Sequence, residues 1–122
     1  MSNLKRYIFP KNCRLTKKKD FQNVYRNGKV HVDRYAILYI LPNDGLPSKV
    51  GFAVGKKLGN AVLRNSIKRK MREVFRHTQQ QIVPGHHLIW VARKSLISKN
   101  LDTYYQVFEK ILKKTQLYRT EV

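Results

Sequence analysis

Acidic residues are scarce in this chain: 7 Asp and Glu stand against 26 Lys and Arg over 122 residues, a formal net charge of +19. A chain so charged repels itself and needs a polyanionic partner, which narrows the field to RNA, DNA or an anionic membrane. Long apolar runs are missing as well. The longest, Tyr35 to Leu41, is far short of the ~20 residues that a membrane span requires. Met1 to Pro10 holds no extended apolar stretch, so no signal peptide is expected. Cysteine is nearly absent; Cys13 alone cannot close an internal disulfide, which fits a reducing cytoplasm. Nucleic acid is the leading partner class.

The same scarcity bears on chemistry. A protein nuclease needs a general acid and base, often paired His, or carboxylates that hold metal ions. The acids Asp20, Asp33, Asp44, Glu73, Asp102, Glu109 and Glu121 are scattered without motif spacing. His86 and His87 are adjacent, so on a regular element they cannot share a face. His31 and His77 have no evident partner, and Cys13 with four histidines shows no zinc-ligand spacing. No catalytic residue and no metal site is expected in the polypeptide.

What is present suffices for one domain over residues 1–122. Hydrophobic residues make up 42% of the chain, enough for a core without disulfides or metal. The first 19 residues carry seven Lys or Arg and no acid, so about 1–14 read as a flexible basic arm. Thr16 is placed to cap a helix through about Asn27, with Gly28 ending it in a left-handed position. Phe21, Val24 and Tyr25 form one aromatic-rich face of that helix. From Val30 the period shortens: Tyr35, Ile37, Tyr39 and Leu41 alternate with Ala36, Leu38 and Ile40, and a break near Asp33-Arg34 divides this stretch into two strands. Pro42-Asn43-Asp44-Gly45 marks a turn, after which Val50, Phe52 and Val54 read as a strand paired antiparallel through it. A helix over Ala61–His77 follows, then a buried strand over His87–Arg93 and a helix from Leu101 to about Thr115 with Asn100 as N-cap. Trp90, Phe108 and Ile111 are assigned to the core. The order α-β-β-β-α-β-α predicts an α+β sandwich.

The helix over Ala61–His77 carries the functional argument. Projected at about 100° per residue, Leu63, Ile67, Met71 and Val74 cluster within an arc of roughly 80°. Arg64, Asn65, Lys68, Arg69, Arg72 and Arg76 occupy a neighbouring arc of roughly 140°. Arg64, Lys68, Arg72 and Arg76 stack cation on cation at i, i+4, each pair costing an isolated helix ~0.2–0.5 kcal/mol. With no acid expected to offset that row, phosphate is the fitting counter-ion, and the planar fork of Arg binds two of its oxygens.

Lys57-Leu58-Gly59-Asn60-Ala61-Val62-Leu63-Arg64-Asn65-Ser66-Ile67-Lys68-Arg69-Lys70-Met71-Arg72-Glu73 closely resembles the arginine–asparagine–arginine signature of the bacterial ribonuclease P protein family, K-x-G-N-A-V-x-R-N-x-x-K-R-x-x-R-E, at every specified position. The resemblance extends over Leu15–Gly28, Arg34–Leu41 and Val91–Lys94, and is weakest in the N-terminal arm and beyond Thr115. It implies a fold like the second domain of ribosomal protein S5, with a left-handed βαβ crossover carrying the signature helix. Right-handed crossovers dominate in general, so the handedness comes from the resemblance alone. The resemblance also implies that Lys56, Lys57, Asn60, Arg64, Asn65, Lys68, Arg69 and Arg72 contact the catalytic RNA. It further implies that Lys17, Phe21, Tyr25 and Tyr39 receive the single-stranded 5′ leader of precursor tRNA. From the residues alone, those three aromatics fit core packing and base stacking equally well.

On the same grounds the implied role is a protein subunit assisting endonucleolytic removal of the leader. The RNA is then the catalyst, Mg2+ serves the RNA-centred site, and no protein partner is obligate. The competing reading is a ribosomal or general RNA-binding protein without a part in tRNA processing. An autonomous nuclease is the third class, and the scattered acids argue against it.

Overall fold

The computed structural model describes residues 13–43 and 48–119. Its elements are helix α1 (Lys18–Asn27), strands β1 (Lys29–Val32), β2 (Ala36–Pro42) and β3 (Lys49–Ala53), helix α2 (Ala61–Thr78), strand β4 (His86–Ala92) and helix α3 (Leu101–Lys114), in the expected α-β-β-β-α-β-α order. The strand break near Asp33-Arg34 is present between β1 and β2. Residues 1–12 of the expected arm lie outside the described residues. Arg14 makes a parallel β-bridge to Val50, and Leu15 N–H donates to the Val50 carbonyl at 3.0 Å.

The four strands form one sheet in the order β1-β2-β4-β3. The antiparallel pairing expected between β2 and β3 does not occur. β3 instead runs parallel to β4, with Val50 opposite Leu88 and Phe52 opposite Trp90, and β4 lies antiparallel to β2. The physical reason is the apolar content of β4. Leu88, Ile89 and Trp90 are fully buried, so this strand belongs in the middle with both faces covered. The shorter β3, carrying Lys49 and Gly51, suits the edge. Consequently α2 connects two adjacent parallel strands.

Alternation sorts the side chains onto two faces. Ala36, Leu38, Ile40, Val50, Leu88, Trp90 and Ala92 meet Ile67, Met71, Val74 and Phe75 of α2 and Tyr104, Val107, Phe108, Ile111 and Leu112 of α3 in the main core. Trp90 and Phe108 stack with centroids 4.0 Å apart and planes 5° from parallel. Burying side chains of this size stabilises the fold by roughly 1.5–3 kcal/mol each. The core assignments of Trp90, Phe108 and Ile111 stand. On the other face Ile89 meets Leu15 and Val24, with Phe21, Tyr39, Leu41, Ala53 and Val91 half-buried around them. Helix α1 thus covers the side of the sheet opposite α2 and α3.

The helix ends hold two corrections. Lys17, not Thr16, occupies the N-cap position of α1, and no side chain caps it. Gly28 is extended (φ −80°, ψ 157°), not left-handed. A glycine is needed there because a Cβ would stand 2.6 Å from the Val24 carbonyl oxygen and 3.0 Å from that of Ile40. For α3 the expected cap is in place: Asn100 Oδ1 accepts from Thr103 N–H at 3.1 Å, an interaction worth about 1 kcal/mol.

Candidate RNA interface

Helix α2 opens with Asn60 as its N-cap, whose Oδ1 accepts from Leu63 N–H at 2.9 Å. Just before it, Lys56 and Lys57 stand exposed on a 3-10 turn over Lys56–Leu58. Asn65, Arg69 and Arg72 are exposed and Lys68 is half-exposed along the outer face. Lys56, Lys57, Lys68, Arg69 and Arg72 form no ion pair among the described residues. Arg64 differs from them: half-buried, its Nε donates to the Gly59 carbonyl at 3.1 Å, tying the helix to the preceding turn. Val62 adds an apolar contact surface in the first turn, 79% exposed.

The row of uncompensated cations is shorter than the spacing suggests. Arg76 donates to both carboxylate oxygens of Glu73, at 2.7 and 2.8 Å, and His77 Nε2 lies 2.9 Å from Glu73 Oε2. Glu73 therefore offsets the last cation of the series and gives His77 a partner. The hydrogen bond from Arg76, helped by His77 and opposed by partial burial, holds the Glu73 carboxyl below its ordinary range. Phosphate-seeking charge is concentrated in the first three turns.

A second surface forms where α1 crosses the sheet. Phe21 and Tyr25 ring centroids lie 6.3 Å apart, and Tyr25 meets Tyr39 edge-on at 4.8 Å and 89°. The three aromatics expected to act together are thus in one cluster. Tyr25 is 38% exposed; Phe21 and Tyr39 are half-buried, and Lys17 stands exposed at the start of α1. Burial, with a smaller contribution from Tyr39, raises the Tyr25 phenol above its ordinary value, so it is a neutral hydrogen-bond donor at neutral pH.

The sequence reading missed three residues that shape this surface. A Cβ on Gly51 would fall 2.5 Å from the Phe21 ring, so the bare backbone of β3 provides the seat for Phe21. Val30 and Val32 on β1 are 49% and 65% exposed and lie opposite Tyr39 and Ile37. They extend the same face to the sheet edge. The period of two starting at Val30 was the available signal.

Among the described residues no helix is long and apolar enough to cross a membrane. Nor do three or more His, Cys, Asp or Glu gather into a metal-binding group there. Two separate surfaces remain, one that presents charge and one that presents rings.

Comparison with known proteins agrees with this geometry. The family model described as Ribonuclease P matches residues 9–116. The ribonuclease P protein component of Caldanaerobacter subterraneus is 36% identical over 108 residues, covering 88% of this chain and 93% of that one. That of Staphylococcus carnosus is 36% identical over 113 residues, covering 92% and 97%. Among solved structures, the RNase P protein of Staphylococcus aureus superposes with a TM-score of 0.79 at 32% identity, covering 88% of this chain and 98% of that one. The Thermotoga maritima RNase P protein gives 0.76 at 28%, covering 83% and 96%. The chain accordingly belongs to the ribonuclease P protein family, the subunits that partner the ribonuclease P RNA in a tRNA-processing endoribonuclease.

Proposed function

We propose that the two surfaces divide the work of substrate capture and holoenzyme assembly. Lys56, Lys57, Asn60, Arg64, Asn65, Lys68, Arg69 and Arg72 bind the phosphate backbone of the catalytic RNA. Lys17, Phe21, Tyr25 and Tyr39 hold the unpaired 5′ leader of precursor tRNA. The observation that carries this reading is the Phe21–Tyr25–Tyr39 cluster, half-open on the sheet face away from α2. Aromatic faces stack unpaired bases at ~1–3 kcal/mol each with little sequence demand, which suits an enzyme acting on many leaders. Asn60 and Arg64 have a double duty, since each also fixes the start of α2.

Cleavage is assigned to the RNA, and the Mg2+ that the family implies serves the RNA-centred site. Three of the five described carboxylates are held in ion pairs: Asp33 by Lys110 at 3.0 Å, Glu73 by Arg76, and Glu109 by Lys113 at 2.8 Å. The polypeptide neutralises charge and raises leader affinity, acting in the cytoplasm as a single domain with no obligate protein partner. A ribosomal or general RNA-binding role is not favoured by the relatives.

The test is the affinity of the reconstituted holoenzyme for tRNA with and without a few leader nucleotides. A leader-dependent gain that disappears with Phe21→Ala is expected. Equal affinity for both substrates, with the wild-type protein bound, refutes the assignment.

A further inference from the structure

A second cationic cluster lies away from the outer face of α2, where the β1–β2 turn meets the end of β4. Arg34, Arg93, Lys94 and Lys99 are all exposed and, among the described residues, none forms an ion pair. Arg34 is distant in sequence from the other three and is brought to them because Ala36 pairs with Ala92 across β2 and β4. The frame beneath them is cross-tied. Arg93 Nη1 donates to the Asp33 carbonyl at 2.8 Å, Arg93 N–H to the Tyr35 carbonyl at 3.1 Å, and Ser95 Oγ to the Arg34 carbonyl. Tyr35 carries the Arg34 guanidinium 5.4 Å from its ring centroid and Lys99 Nζ at 5.9 Å. Ser98, at φ 68°, makes the left-handed turn that leads into Lys99.

The one acid within this frame is already engaged. Asp33 pairs with Lys110 at 3.0 Å and accepts from Tyr35 N–H at 3.0 Å, with its side chain only 10% exposed. Arg34 and Lys99 share the Tyr35 ring, Arg93 is tied to the turn beside them, and Lys94 follows Arg93 in the chain, with no ion pair to any of the four among the described residues. The cluster also connects to α2. Lys70 Nζ donates to the Lys99 carbonyl at 3.3 Å, and a groove of about 310 Å³ lined by Ser66, Arg69, Lys70, Glu73 and Leu101 lies beside that link.

We infer that Arg34, Arg93, Lys94 and Lys99 form a second phosphate-binding surface that, through Lys70 and Lys99, extends the track of α2 onto a further backbone segment of the folded catalytic RNA. This rests on the proposed assignment of α2 to that RNA. The occupant is structured RNA, not the unpaired leader, because this surface offers no ring for stacking: Tyr35 is already occupied by its two cations. A surface of this kind reads charge and spacing without reading bases.

The experiment compares the triple variant Arg34→Gln, Lys94→Gln, Lys99→Gln with Arg69→Gln, Arg72→Gln on α2, titrating catalytic RNA over a range of monovalent salt. Arg93 is left intact because it ties Asp33. Loss of three phosphate contacts should flatten the log–log salt slope by about 2–3 and weaken binding on the order of tenfold at physiological salt. The leader-dependent gain should be unchanged. Should the triple variant melt early, Lys94→Gln with Lys99→Gln, whose side chains hold no hydrogen bond among the described residues, carries the test with a slope change of about 1.5. An unchanged slope in the folded variant, beside a clear loss for the α2 variant, overturns this inference and spares the α2 assignment. If neither variant loses affinity, both fall. A loss confined to the leader-dependent gain also overturns the inference, because the cluster would then serve the substrate.

Discussion

The outer face of α2 and the α1 face of the sheet are the two surfaces proposed to meet RNA, and they stand in opposite relation to the fold. Arg69 and Arg72 project from a helix whose other side is already anchored by Ile67, Met71 and Val74. Phe21 and Tyr39 are half-buried members of the small cluster around Val24 and Ile89. Charge can therefore be removed from the first surface at little structural cost. Rings removed from the second take packing with them. On the proposed assignment, long, solvated cations would grip one fixed RNA and pre-seated rings would take many variable leaders.

The sharpest way to break this contrast is to strip α2. Arg69→Ala with Arg72→Ala should weaken catalytic-RNA binding by one to two orders of magnitude, roughly 1.4–2.8 kcal/mol, while the melting temperature stays within about a degree. Filter binding and a thermal melt read the two halves of that expectation. Early melting would mean that the face is structural after all.

Phe21→Ala should do both kinds of damage. Its leader-dependent affinity gain should fall by about 1–3 kcal/mol, and the melt should shift down because a half-buried ring is lost. Gly51→Ala approaches the same seat from below. The new methyl meets the Phe21 ring and, at 3.2 Å, Leu15 Cβ, so stability should drop by about 1–3 kcal/mol as overpacked sites do. Leader affinity should fall in parallel. Stability lost with leader affinity intact would separate the packing of Phe21 from its binding.

Within α2, Arg64→Ala should cost the fold about 1 kcal/mol by releasing the Gly59 carbonyl; Arg69→Ala should cost it nothing measurable. Equal melts for the two variants would remove the distinction drawn between them.

The smallest effect expected is in acid. Burial tends to raise Asp33, but the Tyr35 N–H, Lys110 and Lys114 outweigh it and hold the carboxyl below its ordinary 3.8. A carboxyl depressed in the folded state contributes stability above the unfolded pKa, and that contribution drains as pH falls through the folded value. Melts recorded from about pH 5 downward should therefore fall less steeply for Asp33→Asn than for the parent chain. Parallel curves would show that Lys110 does not hold Asp33 as described.

How much of this was legible beforehand depends on the range of the signal. The 3.6-residue rhythm of Ile67, Met71 and Val74 lies within one helix, and α2 was found to within a residue. The strand breaks and the Asn100 cap are equally local. Partner choice is not. The alternation of Val50, Phe52 and Val54 announces a strand and gives no neighbour, so β3 was placed beside β2 when it pairs with β4. The cluster of Arg34, Arg93, Lys94 and Lys99 was invisible for the same reason, since only the β2–β4 register assembles it. The bond from Arg76 to Glu73 lies at i, i+3, a spacing that the i, i+4 row of like charges does not reveal. The grouping of Phe21, Tyr25 and Tyr39 was expected from the resemblance and is present as one cluster, whereas the seat that Gly51 gives Phe21 needs the sheet.

The stacked indole at the centre of the main core has a practical use. Trp90 is the sole tryptophan of the chain, fully shielded from water, and its Nε1 has no hydrogen-bond partner among the described residues. Its emission should be short in wavelength while the protein is folded and shift to the red only when solvent reaches the interior. Because neither candidate RNA surface includes it, the fluorophore reports global unfolding independently of nucleic-acid occupancy, and denaturation can be followed optically with the ribozyme already bound.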